Sequence, residues 1–79
     1  MQKDEFSKEL PEQCKCDVCR KPLPVQWDIR RYGALEWMGI GLAKCSRCDW
    51  LKVAATGSDE FSYRQAQNVR LRLVVQLGL

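Results

Sequence analysis

Alternating apolar and polar positions predict strands in the middle of the chain. In residues 25–31 the apolar side chains Val25, Trp27 and Ile29 recur at every second position, which is typical of a strand with one buried face. Residues 32–34 predict a turn, and residues 35–44 predict the returning strand, in which a glycine marks a bulge or a close backbone approach. A third short strand is predicted over residues 50–55, before Thr56-Gly57.

The C-terminal segment carries two competing patterns. Every odd position from 69 to 79 is apolar, which indicates a strand. A longer window favours a helix, because Ser58 or Asp59 can cap its start and Gly78 suits its end. The apolar residues on one face of that helix are Ala66, Val69, Leu73 and Leu77. We predict a helix over about 59–77.

This helix has a second apolar set beside its first, formed by Leu71, Val74 and Val75. A small domain cannot easily cover so broad a face. We therefore hypothesise that part of the helix packs on another protein or on a second copy of the chain as a homodimer. The alternative is that the helix only closes its own core.

Length and composition limit the fold and the function. A chain of 79 residues allows one domain, which we place over residues 14–79, after a polar, acidic segment over residues 1–13 that is a loose helix or flexible. So short a chain has a marginal core and needs a staple. The chain has five cysteines and no histidine, which excludes Ser-His-Asp triads and His-ligated catalytic zinc. We therefore predict no enzyme and no small-molecule substrate.

Cysteine usage and hydropathy indicate the compartment. The N-terminal segment has no apolar run typical of a secretory signal, and no stretch of the chain is apolar enough to span a membrane. An odd number of cysteines without a signal argues against a disulfide framework. We expect a cytoplasmic protein whose clustered thiols bind metal.

Four of the cysteines form two Cys-x-x-Cys pairs, Cys16/Cys19 and Cys45/Cys48. Two residues between thiolates let a tight turn direct both sulfurs at one ion, and two such turns supply a tetrahedral site. The spacing predicts one structural Zn²⁺, although iron is chemically possible. Cys14 is an alternative ligand to Cys16 or a redox-active thiol. We prefer Cys16, because its spacing to Cys19 matches that of the second pair.

These two pairs, with a hairpin-length spacer between them, resemble a zinc ribbon over about residues 14–57. The resemblance implies a small α+β fold, in which a β-hairpin and a third strand surround the metal and a C-terminal helix follows. Ribbons commonly have glycine after the second cysteine of each pair, where Arg20 and Asp49 stand here. Since arginine tolerates a positive φ less well than aspartate, we expect distortion at the first pair.

The layout is also similar to the N-terminal zinc domain of certain type II antitoxins, which has two Cys-x-x-Cys pairs, strands between them and a helix after. In that family the zinc domain binds the toxin, while a separate helix-turn-helix domain binds DNA. The resemblance extends to the metal ligands and the general layout. It implies a regulatory module that docks on a protein partner in gene-expression or nucleic-acid machinery.

Direct binding of nucleic acid is the alternative function. Arg30, Arg31, Lys44 and Arg47 are the candidate contacts, since cations beside aromatic residues can bind phosphates and stack on bases. The formal net charge is +3, but Zn²⁺ with four thiolates lowers it to about +1. That small charge favours protein docking over nucleic-acid binding.

Overall fold

The computed structural model describes residues 2–34 and 36–78 as two small antiparallel sheets followed by a long helix. Along the chain the elements are α1 (Lys3–Lys8), β1 (Gln13–Lys15), β2 (Pro22–Pro24), β3 (Gln26–Arg31), β4 (Trp37–Cys45), β5 (Trp50–Gly57) and α2 (Glu60–Leu77). The α+β class, the hairpin with a third strand and the C-terminal helix are confirmed. Residues 1, 35 and 79, which fall in predicted segments, lie outside the described residues.

The three-stranded sheet has the order β3-β4-β5 and two different faces. Since neighbouring residues of a strand face opposite ways, Met38 and Ile40 lie on one face of β4, toward α2. On the other face, Trp27 of β3 lies opposite Gly41. A Cβ atom at Gly41 would lie 2.9 Å from side-chain atoms of both Trp27 and Val25. The glycine therefore marks the close approach that the sequence predicted, in a regular register without a bulge.

The polar N-terminal segment packs on this second face. Phe6 of α1 is only 2% exposed, and its ring would lie 3.6 Å from a Cβ atom at Gly39. Leu10 is also buried, and the indole N–H of Trp27 donates to the carbonyl oxygen of Pro11 at 2.8 Å. Two apolar side chains and one hydrogen bond thus fix the segment that leads into β1.

The C-terminal segment is the predicted helix and not a strand. Asp59 caps α2, since its carboxylate accepts from the backbone N–H of Ser62 at 2.8 Å. The Ser62 hydroxyl and N–H beside this carboxylate hold the pKa of Asp59 below its usual value. At the other end, Gly78 has a φ of 73° and closes the helix in the left-handed conformation.

Helix α2 packs across β5 and β4. Val69, Leu73 and Val74 contact a buried cluster of four residues; these are Met38, Ile40, Val53 and Ala66. Leu71 and Val75, on the outer side of the helix, are exposed. In the described part of the chain, no helix is long and apolar enough to cross a membrane.

Candidate metal centre

The first cysteine pair lies in a tight turn between β1 and β2. These short strands pair antiparallel, with Lys15 opposite Pro22. The turn is closed by two backbone hydrogen bonds, from Arg20 N–H to the Cys16 carbonyl at 2.9 Å and from Cys16 N–H to the Lys21 carbonyl at 3.0 Å. Pro22 and Pro24, which favour extended backbone, lie directly after it. The turn directs the side chains of Cys16 and Cys19 toward one point.

The second pair lies in the turn between β4 and β5. Cys45 is the last residue of β4, and Trp50, the first residue of β5, lies opposite it. Arg20 and Asp49 take equivalent positions after their cysteine pairs, with φ angles of 62° and 52°. Arg20 therefore adopts the left-handed backbone conformation at a position where zinc ribbons commonly have glycine. For a residue with a Cβ atom this conformation costs roughly 1–2 kcal/mol.

The two turns bring four sulfurs together. The Sγ atoms of Cys16, Cys19, Cys45 and Cys48 all lie within 4.8 Å of one another, and those of Cys19 and Cys45 are 3.8 Å apart. In a tetrahedral site with Zn–S bonds of about 2.3 Å, neighbouring sulfurs lie about 3.8 Å apart. All five cysteines are free thiols. The four clustered sulfurs could therefore hold one metal ion.

Cys14 is not part of this group. It lies in β1, opposite Leu23. Its half-buried side chain packs against the buried residues around the cysteine cluster. The structure thus gathers the four cysteines with matched spacing and leaves the fifth aside.

Backbone N–H groups favour the thiolate form of Cys16. The N–H groups of Cys19 and Val18 point at its sulfur, the latter at 3.4 Å, and lower its pKa to about 7 against the opposing effect of burial. A side-chain hydrogen bond with Cys19, together with burial, raises the pKa of Cys48 to about 12. Since thiolates are the metal ligands, a metal ion must displace the thiol protons to bind.

Protein side chains enclose the cluster. Cys16 and Cys45 are buried and Cys19 and Cys48 are half-buried, while Trp50 packs against the group. Leu23 and Ala43 complete the buried set. With four sulfurs around one point, a bound ion would have its tetrahedral positions filled by the chain.

The four candidate nucleic-acid contacts do not form one patch. Arg30 is bound to Asp28, with 2.8 Å between guanidinium and carboxylate, and Arg31 stacks on Trp37 at 5.3 Å from the ring centroid. Both lie at the end of β3 far from the cysteines. Lys44 and Arg47 are exposed at the metal end. Because Lys44 is six residues along β4 from the position opposite Arg30, the two groups are about 20 Å apart.

Three features were not predicted from the sequence: two belong to the candidate sites, and the third, Phe6, lies on the second face of the three-stranded sheet. The N–H of Val18 contacts a sulfur, but a backbone donor leaves no signal in residue type. Phe6 is buried although its neighbours are polar. Asp28 pairs with Arg30, and the signal that could have found it is their spacing of two, which places both on one face of a strand.

No protein-family model, no curated protein and no solved structure matches this chain. The resemblances to zinc ribbons and to antitoxin zinc domains therefore rest on the cysteine spacing and the layout of elements.

Proposed function

We propose that the chain is a non-catalytic module stabilised by one structural Zn²⁺, bound by the thiolates of Cys16, Cys19, Cys45 and Cys48. The observation that carries this proposal is the cluster of four sulfurs, at a separation that suits tetrahedral Zn–S geometry. Four buried or half-buried thiolates are a ligand set that zinc and iron both accept. Zinc would supply charge neutralisation and cross-linking of the two turns, with no redox chemistry.

The closed ligand set also supports a non-catalytic role. A catalytic zinc keeps one position for water or substrate, whereas four thiolates leave none. The chain has no histidine to serve as a general base near neutral pH. Free thiols fit the reducing cytoplasm, where we place the protein.

Metal analysis of cysteine variants tests this proposal. We expect one zinc per chain in the protein purified without added metal, and loss of that zinc in Cys45→Ser and Cys19→Ser. Cys14→Ser is the matched control, because Cys14 lies beside the cluster without belonging to it. Iron at the same stoichiometry would correct the choice of metal. Loss of metal in Cys14→Ser but not in Cys16→Ser would overturn the ligand assignment.

We propose further that the module docks on a protein partner in gene-expression or nucleic-acid machinery through the outer side of α2. Leu71 is 53% and Val75 is 79% exposed, although both are large apolar residues one helical turn apart. Val74, the third residue of the predicted apolar set, packs on the domain's own core, so the proposed surface is centred on the other two. The class of partner rests on analogy with zinc ribbons and antitoxin domains.

Affinity capture with a matched surface variant tests this docking. The wild-type protein should retain a discrete protein from nuclease-treated lysate, and Leu71→Gln/Val75→Gln should lose it. The control Lys3→Ala/Glu5→Ala changes exposed polar residues of α1, away from this surface, and should keep the partner. Equal retention by all three proteins would contradict docking through this side of α2.

Direct nucleic-acid binding is the second candidate function. Lys44 and Arg47 support it, because both are exposed beside the metal cluster. Log affinity for a mixed oligonucleotide pool should then fall steeply with log salt, and Lys44→Gln/Arg47→Gln should flatten that slope. A slope near zero in the wild-type protein would exclude this function.

A further inference from the structure

Strand β3 has a bare outer edge. It lies at the margin of the three-stranded sheet, and its single strand neighbour among the described residues is β4. β1 covers the edge of the preceding strand as far as Val25, whose N–H donates to the Glu12 carbonyl at 2.9 Å. Beyond Val25 the N-terminal segment lies on the face of the sheet opposite α2, where the Pro11 carbonyl accepts from the indole N–H of Trp27 at 2.8 Å. Unpaired strand edges of this kind are templates for pairing with another chain.

Hydrogen bonding shows which residues of β3 present their backbone to that edge. Tyr32 N–H donates to the carbonyl of Glu36, which lies opposite it in the register of β3 and β4. Because paired and unpaired positions alternate in antiparallel strands, the even residues of β3 bond to β4. The odd residues Trp27, Ile29 and Arg31 therefore direct their N–H and C=O groups outward.

The side chains along this edge are complementary to themselves. Asp28 and Arg30 precede and follow Ile29 in the strand. Their side chains lie on the face toward α2, and both are more than half exposed. If a second copy of β3 runs antiparallel with Ile29 opposite Ile29, Asp28 of each copy lies opposite Arg30 of the other. Trp27 of each copy then lies opposite Arg31 of the other.

The neighbouring registers of two antiparallel β3 strands do not place opposite charges against each other. Because only the odd residues direct their backbone groups outward, one strand can shift along the other only in steps of two residues. A shift in one direction places Asp28 opposite Asp28, and a shift in the other places Arg30 opposite Arg30. Like charges directly opposite each other destabilise a strand pair. The charges along β3 thus select one symmetric arrangement.

The other edge of the sheet lacks this pattern. β5 carries a single charged residue, Lys52, so a symmetric pair of β5 strands would have no opposite charges to match. Helix α2 packs over β5 and β4 and stands back from β3, where a groove of about 630 Å³ separates β3 from the helix. The edge of β3 is therefore open on the side of the sheet that carries Asp28 and Arg30.

We propose that two copies of this chain form a symmetric dimer by antiparallel pairing of β3 with β3, joining the two three-stranded sheets into one sheet of six strands. Backbone hydrogen bonds of Trp27, Ile29 and Arg31 hold the copies together, and the Asp28–Arg30 pairs fix the register. The dimer uses a surface other than Leu71 and Val75, so it goes beyond the proposed docking function and leaves that side of α2 available.

Charge exchange tests the dimer and its register. By sedimentation equilibrium, the wild-type protein should change from its monomer mass of 9.2 kDa toward twice that mass as concentration rises. Asp28→Arg and Arg30→Asp should each weaken dimerisation about tenfold or more, because each places like charges opposite one another twice. A 1:1 mixture of the two variants should restore the dimer as a heterodimer, since every opposed pair then has opposite charges.

The matched control is Arg64→Asp, which reverses one partner of an exposed ion pair on α2 and should leave the dimer unchanged. Circular dichroism and zinc content of each variant establish that the fold is intact. A wild-type mass that stays at 9.2 kDa at every concentration would overturn the proposal. So would a dimer that persists in both single variants, since it would use another surface, or single variants that do not recombine when mixed.

Discussion

The two ends of the three-stranded sheet bury different kinds of side chain. At the metal end the buried residues are Cys16, Leu23, Ala43 and Cys45, and at the helix end they are Met38, Ile40, Val53 and Ala66, with three further apolar residues of α2 against them. The helix end thus has an ordinary apolar core, whereas the metal end has one large aliphatic side chain among small ones. If the proposed zinc site is filled, a domain of this size is held at one end by burial and at the other by an ion.

Removal of the metal should have the largest effect, and it should affect the two ends unequally. Zinc bound by four thiolates contributes on the order of 10 kcal/mol to folded zinc domains. Chelation should therefore expose the amides of β1, β2 and both cysteine turns to hydrogen exchange first, while α2 keeps more protection. Equal exchange at both ends before and after chelation would contradict the division of the sheet into two differently stabilised ends.

Truncation of the apolar core should have the next largest effect. Ile40 is 6% exposed between the sheet and α2, so Ile40→Ala should cost about 2–4 kcal/mol of the free energy of unfolding. Leu71→Ala, on the exposed side of α2, should cost less than about 0.5 kcal/mol. Urea unfolding in excess zinc measures both values. Ile40→Val, with an expected cost of about 1 kcal/mol, keeps the series informative if the alanine variant does not fold.

Relief of backbone strain at the first turn should stabilise the metal end slightly. Arg20 has a φ of 62°, so Arg20→Gly should raise the free energy of unfolding by about 0.5–1 kcal/mol. The same change at Lys21, next in the chain and without a positive φ, should be neutral or destabilising. Thermal unfolding of the zinc-bound variants compares them. A destabilised Arg20→Gly would show that the arginine side chain contributes more than its strain costs.

Loss of the helix cap should have an effect of similar size and opposite sign, confined to the helix end. Asp59→Ala removes the acceptor for Ser62 N–H and should lower Tm by about 3–8 °C without loss of zinc. Because the folded pKa of Asp59 is lowered, its contribution is fully present above the unfolded pKa of about 3.9 and disappears as pH falls through the folded value. The Tm difference from wild type should therefore be constant between pH 8 and pH 6. A difference that changes over that interval would assign the effect to another group.

The sequence predicted the elements whose pattern repeats locally. Cysteine spacing identified the four clustered sulfurs, and alternation placed the strand that the structure shows over Gln26–Arg31. The alternation over residues 69–79 was misleading as a sign of a strand. In a helix, residues two apart lie on nearly opposite sides, so Val69 and Leu73 are packed on the core while Leu71 and Val75 are exposed.

Features that depend on contacts between distant parts of the chain could not be predicted from the sequence. The burial of Phe6 depends on the space above Gly39, more than thirty residues away. The bare edge of β3 depends on where β1 stops pairing, at Glu12 and Val25. Neither is visible in a local pattern, because each arises only when the sheet is assembled.

X-ray absorption at the zinc edge of the purified protein tests the proposed four-sulfur site most directly. We predict four sulfur neighbours at about 2.3 Å and no nitrogen or oxygen neighbour, unchanged in Cys14→Ser. A coordination shell containing oxygen or nitrogen, or a protein that folds fully without metal, would contradict a closed structural centre made by Cys16, Cys19, Cys45 and Cys48.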